Sequence, residues 1–354
     1  MTSDIYSSMF PRPAAGSRMV STTVDPPEPA MTQHHLAIVA DAPGGPEVLQ
    51  TAQVPTPEPG PGQLLIKVAA AGVNFIETYE RTGIYNVPFP FTPGAEASGT
   101  ITAVGEGVVD FAVGQRVATA EGRATYAEYA LLDAHTALPV PDGVSDEAAA
   151  ALPLQGMTAH YLINSTYRVA PGQTVLTHAG AGGVGLLLIQ LLKERGARVL
   201  TTVSSPEKAA LARAAGADEV LSYDGVAEAV RELTDGTGVD VVYDGVGKDT
   251  FEGSLASLRT RGMLVLFGGA SGQVPPFDLQ RLNAGGSLFV TRPKLRDYLL
   301  NATERRWRSG ELFAAVAAGT LDVRIGARYP LAEAATAHAD LQARKTTGKL
   351  LLIP

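Results

Sequence analysis

The chain has 354 residues, 45% of them hydrophobic and 18% charged, which fits about two globular domains with cores of their own. A net charge of −8 argues against a nucleic-acid-binding face. The absence of cysteine excludes disulfides, cysteine-ligated zinc, iron–sulfur clusters and thiol nucleophiles, and it fits a reducing, cytoplasmic setting. No run of about 18 apolar residues is present, so no membrane span is expected.

Residues 1–30 carry Ser, Thr, Pro and Ala without an apolar period and close on Pro26-Pro27-Glu28-Pro29. They read as a disordered tail or as a start placed too early. Arg12, Arg18 and the serines fit a transit peptide, whereas Asp4, Asp25 and Glu28 oppose one. Met31 opens the first sequence that reads as a domain.

From His35 to about Leu152 the pattern is strands and turns. Leu36–Val39, Leu64–Val68 and Gly99–Val104 are β-rich runs bounded by Gly and Pro. Pro55, Pro57, Pro59 and Pro61 form a stiff connection, and Val113–Val117 reads as a strand after the turn at Gly105-Glu106-Gly107. His34 and His35 sit at the tail boundary and read as solvated. From Pro171 onwards buried strands (Thr174–Thr177, Ala197–Val203, Glu219–Tyr223, Val239–Tyr243, Met263–Phe267, Ser287–Thr291) alternate with helical stretches, the first over Val184–Arg195. That alternation implies a parallel sheet covered on both faces, an α/β doubly wound architecture. The last strand, Lys349–Ile353, has no evident partner among these and is assigned to the sheet of the N-terminal region.

Gly180, Gly182 and Gly185 form a G-x-G-x-x-G turn between the first parallel strand and its helix. Such glycines permit the tight turn, close backbone approach to a pyrophosphate, and close helix–strand packing; the helix N-terminus then faces the phosphates. A tight turn without ligand is the plainer reading, and the strand pattern downstream favours the Rossmann one. At the end of the second strand an NAD site carries an acid for the ribose 2′-hydroxyl. Here Val203-Ser204-Ser205 is followed by Lys208, and no acid ends the strand. Ser204, Ser205 and Lys208 suit a 2′-phosphate, so NADPH is the expected cofactor; the alternative for Lys208 is a solvated helix charge. Glu207 lies close by, in the first helical turn, where it can face away.

Gly44–Leu49, Ala71–Tyr79, Pro93–Gly99, Gly156-Met157-Thr158, Ala179–Gly185, Tyr243–Gly247 and Leu351–Pro354 together resemble the zinc-free quinone oxidoreductase branch of the medium-chain dehydrogenase/reductase superfamily. The resemblance runs from residue 35 to the end. It implies a GroES-like, β-rich catalytic domain (31–154 and 296–354) and a Rossmann domain (155–295), with the cofactor in the cleft between them. Zinc-containing relatives carry Cys where this chain has Asn74 and His where it has Ala95, so no metal site is expected. Without zinc to polarise a carbonyl, the feasible hydride acceptors are those whose product charge spreads by resonance: quinones and conjugated enones or enals.

The resemblance also implies that Asn74 lies by the nicotinamide, that Thr158 contacts the cofactor near the ring, and that Gly182, Gly183 and Val184 lie on the pyrophosphate. Ser204, Ser205, Lys208 and Tyr223 would surround the adenosine end with Arg344, while Gly245, Phe267, Gly268 and Thr291 line the rest of the groove. Tyr79 and Tyr85 would face the cleft, where a phenol donates to the reduced oxygen; simple packing is the alternative for both. The family implies a homodimer through the Ser287–Thr291 edge. Two rivals remain open, a 2-enoyl-thioester or alkenal reductase on the same scaffold and a non-catalytic NADPH- or RNA-binding protein.

Overall fold

The computed structural model describes residues 33–354; the expectations for residues 1–30 and Met31 lie outside them. Within the described residues the strands form three sheets.

Strands β1 (His34–Ala40) and β2 (Leu49–Pro55) pair antiparallel as a two-stranded sheet. Next come β3 (Gln63–Val73), helix α1 (Phe75–Arg81), β4 (Glu96–Val104), β5 (Arg116–Thr119), β6 (Tyr129–Asp133) and β7 (Leu138–Pro139). β3 is the hub of this region: it pairs with β4 and with β6, and its far end pairs with the last strand of the chain. Leu64, Ile66, Val68, Ala71 and Val73 of β3 are buried in a core shared with Ile38, Ile101, Val117 and Leu132.

Two expectations are corrected here. The strand expected at Val113–Val117 begins only at Arg116, because Gly114 takes φ 87° and donates its N–H back to Ile101 O in a turn. His35 is buried, 4% exposed, rather than solvated. β1 turns it inward, where its ring meets Tyr129 edge-on at 5.7 Å and its Nδ1 bonds Thr56 Oγ1 at 3.3 Å.

Helices α2 (Asp146–Ala151) and α3 (Pro153–Tyr161) lead to the second region. There β8 (Thr174–Thr177), β9 (Arg198–Thr202), β10 (Glu219–Leu221), β11 (Val239–Asp244), β12 (Leu258–Leu266) and β13 (Phe289–Thr291) form an all-parallel sheet in the order β10-β9-β8-β11-β12-β13. This is the doubly wound order, whose switch point lies between β8 and β11, where a ligand crevice opens beyond the strand ends. Val175, Val199, Val241 and Val265 face one core and Leu176, Leu200, Val242 and Leu264 the other, which is why these strands read as continuous apolar runs. Helix α4 (Gly183–Glu194) packs Leu187, Leu188, Ile189 and Leu192 onto the sheet. Helix α5 (Pro206–Ala214) starts with Pro at its first position and Ser205 as its cap, accepting from Lys208 N–H.

The chain then returns to the first region through β14 (Ile325–Pro330) and β15 (Lys349–Ile353). β15 lies between β14 and β3, as expected of the last strand.

Two glycines give opposite expectations. A Cβ at Gly185 would run into Ala179 O and sit 2.9 Å from Gly180 Cα, all backbone that cannot yield without moving the turn. Gly185→Ala should destabilise by about 1–3 kcal/mol. Gly310, exposed in the helix Ala302–Ala317, meets nothing within 4 Å, and Gly310→Ala should stabilise by up to about 1 kcal/mol. Thermal unfolding of both variants checks the pair.

Candidate active site

The carboxyl ends of β8, β9 and β11 meet the far end of β3 and the chain before β15 around a cavity of about 300 Å³. Its floor is the turn from His178 to Gly185. The first bond of α4 runs from Leu186 N–H to Gly182 O, so the N–H groups of Gly183, Val184 and Gly185 precede it and face outward with the positive end of the helix dipole. The turn is held from below by Gly180 N–H on Thr202 O (3.0 Å) and from the side by Gly348 N–H on Ala181 O (3.0 Å).

At one end of the cavity lie Ser204, Lys208, Tyr223 and Arg344. Lys208 Nζ donates to Ser204 Oγ at 3.2 Å and to Arg344 O at 2.7 Å. Partial burial and the neighbouring Arg344 guanidinium lower its pKa from the usual ammonium value. Glu207 is turned away: its carboxylate bonds Ser205 and sits fully in solvent. The corner therefore holds two cations and a hydroxyl, a donor set that fits a phosphate. Tyr223 stacks on His178 with ring centroids 6.0 Å apart, giving the corner an aromatic wall.

Gly245, Val246, Phe267 and Ala270 form a second wall. The 245–247 turn is pinned by buried Asp244, whose carboxylate accepts from Val246 N–H (2.8 Å), Gly247 N–H (2.9 Å), Thr250 Oγ1 (2.7 Å) and Ser254 Oγ (2.7 Å). Ser254 in turn bonds His178 Nε2 at 2.9 Å. Burial lowers the pKa of His178 against the opposing pull of Asp244, and its two ring nitrogens, bonded to Thr202 and Ser254, make it a support for the turn.

At the opposite end lies Asn74, the cap of α1 and 5% exposed. Behind it, Lys349 and Glu96 form a buried ion pair. Glu77 completes the capping box by accepting from Asn74 N–H at 2.8 Å and from Ala95 N–H at 3.3 Å. Desolvation pushes the Glu77 carboxyl up to about 8, against the opposing pull of Lys349.

Of the residues named from sequence, Asn74, Gly182, Gly183, Val184, Ser204, Lys208, Tyr223, Gly245, Phe267 and Arg344 line this one cavity. Thr158, Ser205, Gly268, Thr291, Tyr79 and Tyr85 do not line it. Thr158 is buried in α3, Ser205 caps α5, Gly268 abuts Gly245, and Thr291 ends β13. Tyr79 and Tyr85 pack edge to face, centroids 5.5 Å apart, with Tyr85 44% exposed. Burial, then Tyr85, raise the Tyr79 phenol above its ordinary value; Arg292 and the backbone of Gly269 oppose them. That places Tyr79 toward the segment following β12. Sequence reasoning missed Phe75, Gln155, His178, Ala270, Thr346 and Gly348, which also line the cavity. His178 and Gly348 had a usable signal, since one adjoins the Gly-rich turn and the other the last strand.

A doubly wound sheet with a Gly-rich turn at its switch point, facing a second β-rich region across a crevice, defines a dinucleotide-binding α/β protein. Comparison with known proteins narrows the class. Residues 60–142 match the family model of the alcohol dehydrogenase GroES-like domain, and residues 183–308 that of the zinc-binding dehydrogenases. A quinone oxidoreductase of Pseudomonas aeruginosa is 46% identical over 315 residues, 88% of this chain and 97% of that one. A 2-haloacrylate reductase from a Burkholderia species is 42% identical, over 90% of this chain and 99% of that one. Among solved structures, the Escherichia coli quinone oxidoreductase complexed with NADPH superposes with a TM-score of 0.88 at 41% identity, covering 90% of this chain and all of that one (100%). A mycobacterial protein complexed with NADPH gives 0.88 at 52% identity, with the same coverage of 90% and 100%. The chain belongs to the quinone oxidoreductase branch of the medium-chain dehydrogenase/reductase superfamily. Its fold is a GroES-like region joined to a Rossmann sheet.

Proposed function

We propose that this protein is an NADPH:quinone oxidoreductase. The observation that carries the reading is the corner of Ser204, Lys208 and Arg344, which sets two cations where a ribose 2′-phosphate would lie, with exposed Asp249 4.0 Å from Arg344 on its outer side. The NADPH complexes of related quinone oxidoreductase structures support it. In this reading residues 31–154 and 296–354 form the catalytic domain and 155–295 the nucleotide-binding domain. Gly182, Gly183 and Val184 hold the pyrophosphate, Tyr223 and Ser205 complete the adenosine end, and Thr158, Gly245, Phe267, Gly268 and Thr291 flank the nicotinamide end. The exposed edge of β13, with Phe289 55% exposed, is the surface for a homodimer, and the setting is the cytoplasm.

Bound NADPH supplies the reducing equivalent. In this reading the acceptor sits beyond the Asn74 end of the cavity, toward the Tyr79–Tyr85 pair that lies outside its lining, with Phe75 and Phe267 excluding water on the cavity side. The Tyr79 hydroxyl donates a hydrogen bond to the oxygen that gains charge and is the near source of its proton. No thiolate or imidazole stands at Asn74 or Ala95 to ligate zinc, and Asn74 is already bonded to Lys349 and Glu96. The acceptor must therefore delocalise the charge itself, as a quinone does. A second reading, reduction of an alkene conjugated to a carboxylate or thioester, draws support from the 2-haloacrylate reductase relative.

Assay of nicotinamide oxidation with benzoquinone, 2-chloroacrylate and a 2-enoyl thioester tests the proposal. The quinone should give the highest kcat/KM, unchanged by a chelator. A higher value for either alkene would replace the reading, and nucleotide binding without turnover of any acceptor would reduce the protein to a binding module. Tyr79→Phe is expected to lower kcat with benzoquinone by about a hundredfold, the scale of a lost general acid, with little change in NADPH affinity by fluorescence titration. Lys208→Ala should raise the Kd for NADPH about tenfold to a hundredfold, the worth of a charge-assisted phosphate bond. NADH affinity should stay within about twofold; an equal loss for both would make Lys208 a structural residue.

A further inference from the structure

Lys349, Glu96 and Asn74 come from β15, β4 and the residue after β3, and they meet behind the cavity with relative exposures of 1%, 0% and 5%. Lys349 Nζ donates to Asn74 Oδ1 at 2.6 Å and pairs with Glu96 Oε2. Asn74 Nδ2 donates to Glu96 Oε2 at 3.0 Å and to Gly72 O at 3.4 Å. The other Glu96 oxygen accepts from Leu154 N–H at 2.7 Å. Room for the pair is built into the backbone: a Cβ at Gly72 would strike the Glu96 carboxylate and lie 2.7 Å from Lys349 Cε and 2.8 Å from Ala150 O.

The two charges dictate which way the Asn74 amide faces. An ammonium can only donate, so the atom turned to Lys349 is the oxygen; a carboxylate can only accept, so the atom turned to Glu96 is the nitrogen. Both Nδ2 hydrogens are then spent inside the fold. What Asn74 has left for the cavity is Oδ1, which the Glu77 N–H of the capping box also approaches, so the amide meets the cavity as an acceptor and not as a donor. A buried ion pair contributes little to stability compared with an apolar pair of the same volume, which leaves its effect on the amide as its physical consequence.

We propose that Lys349 and Glu96 are positioning residues that lock Asn74 as a hydrogen-bond acceptor toward the nucleotide. It receives an N–H or O–H from the nicotinamide–ribose end of NADPH, and it has no N–H to give the oxygen that gains charge on reduction. The donor to that oxygen is then the phenol of Tyr79. The inference rests on the NADPH-binding reading of the cavity and does not depend on which acceptor is reduced.

The test compares Lys349→Met/Glu96→Gln, which removes both charges together so that neither is left buried alone, in the wild-type and in the Asn74→Ala background. NADPH Kd by fluorescence, kcat/KM with benzoquinone and melting temperature are measured on the full chain. In the wild-type background the paired replacement should keep a cooperative melt, raise the NADPH Kd about tenfold and lower kcat/KM at least as much, the scale on which residues behind a ligand group act. In the Asn74→Ala background it should change both by less than about twofold, because the group it acts through is gone. Equal losses in both backgrounds, or an NADPH Kd left within about twofold of wild type, would overturn the proposal. If the paired variant melts below the assay temperature, Glu96→Gln alone is put through the same comparison with the same criteria. Loss of quinone turnover in the wild type itself would overturn the proposed function and leave the Kd comparison to decide the role of the pair.

Discussion

A single backbone hydrogen bond, Gly348 N–H to Ala181 O at 3.0 Å, ties the last strand of one sheet to the Gly-rich turn of the other. Gly182 and Gly348 form a parallel bridge beside it. The contact brings the cations of the 344–349 segment to both ends of the crevice, Arg344 beside Lys208 and Lys349 behind Asn74. Close backbone approach is the condition for this. A side chain at Gly348, which takes φ 63°, would collide with Arg324 O.

The two ends of the crevice treat charge differently. At the adenosine end Lys208 and Arg344 remain partly in solvent: Lys208 bonds Ser204 Oγ and Arg344 O, and the Arg344 guanidinium stands 4.0 Å from Asp249. Lys208 has no carboxylate partner among the described residues, so its charge is open to an incoming anion. At the Asn74 end the charges are sealed and spent on one another. Desolvation there is large enough to hold even the Glu77 carboxyl far above its ordinary range. A ligand meeting that end finds only a fixed dipole.

Sequence reading succeeded where a local rule has a local cause. The strands of the parallel sheet were legible because burial on both faces leaves continuous Val and Leu runs, and the Gly-rich turn because its spacing follows from helix–strand geometry. β2 was missed because its outward residues are Gln50, Thr51 and Gln53, and Pro55 reads as a breaker although it merely ends the strand. His35 read as solvated because nothing nearby in sequence discloses that β1 turns it onto Tyr129. The Lys349–Glu96 pair was not legible at all: the partners stand 253 positions apart, and a lysine opening an apolar strand reads as its solvated end. Asn74 and Lys208, expected at the cofactor, line the cavity, but the distant groups they bond to, Lys349 and Arg344 O, are set by the tertiary fold.

β15 fills an interior position of its sheet, between β14 and β3, although it follows every other strand in the chain. During synthesis the Rossmann sheet can close and the Gly-rich turn can form while β3 still lacks that neighbour and Asn74 still lacks Lys349. The Asn74 end of the cleft is thus complete only once the 349–353 segment has paired with β3.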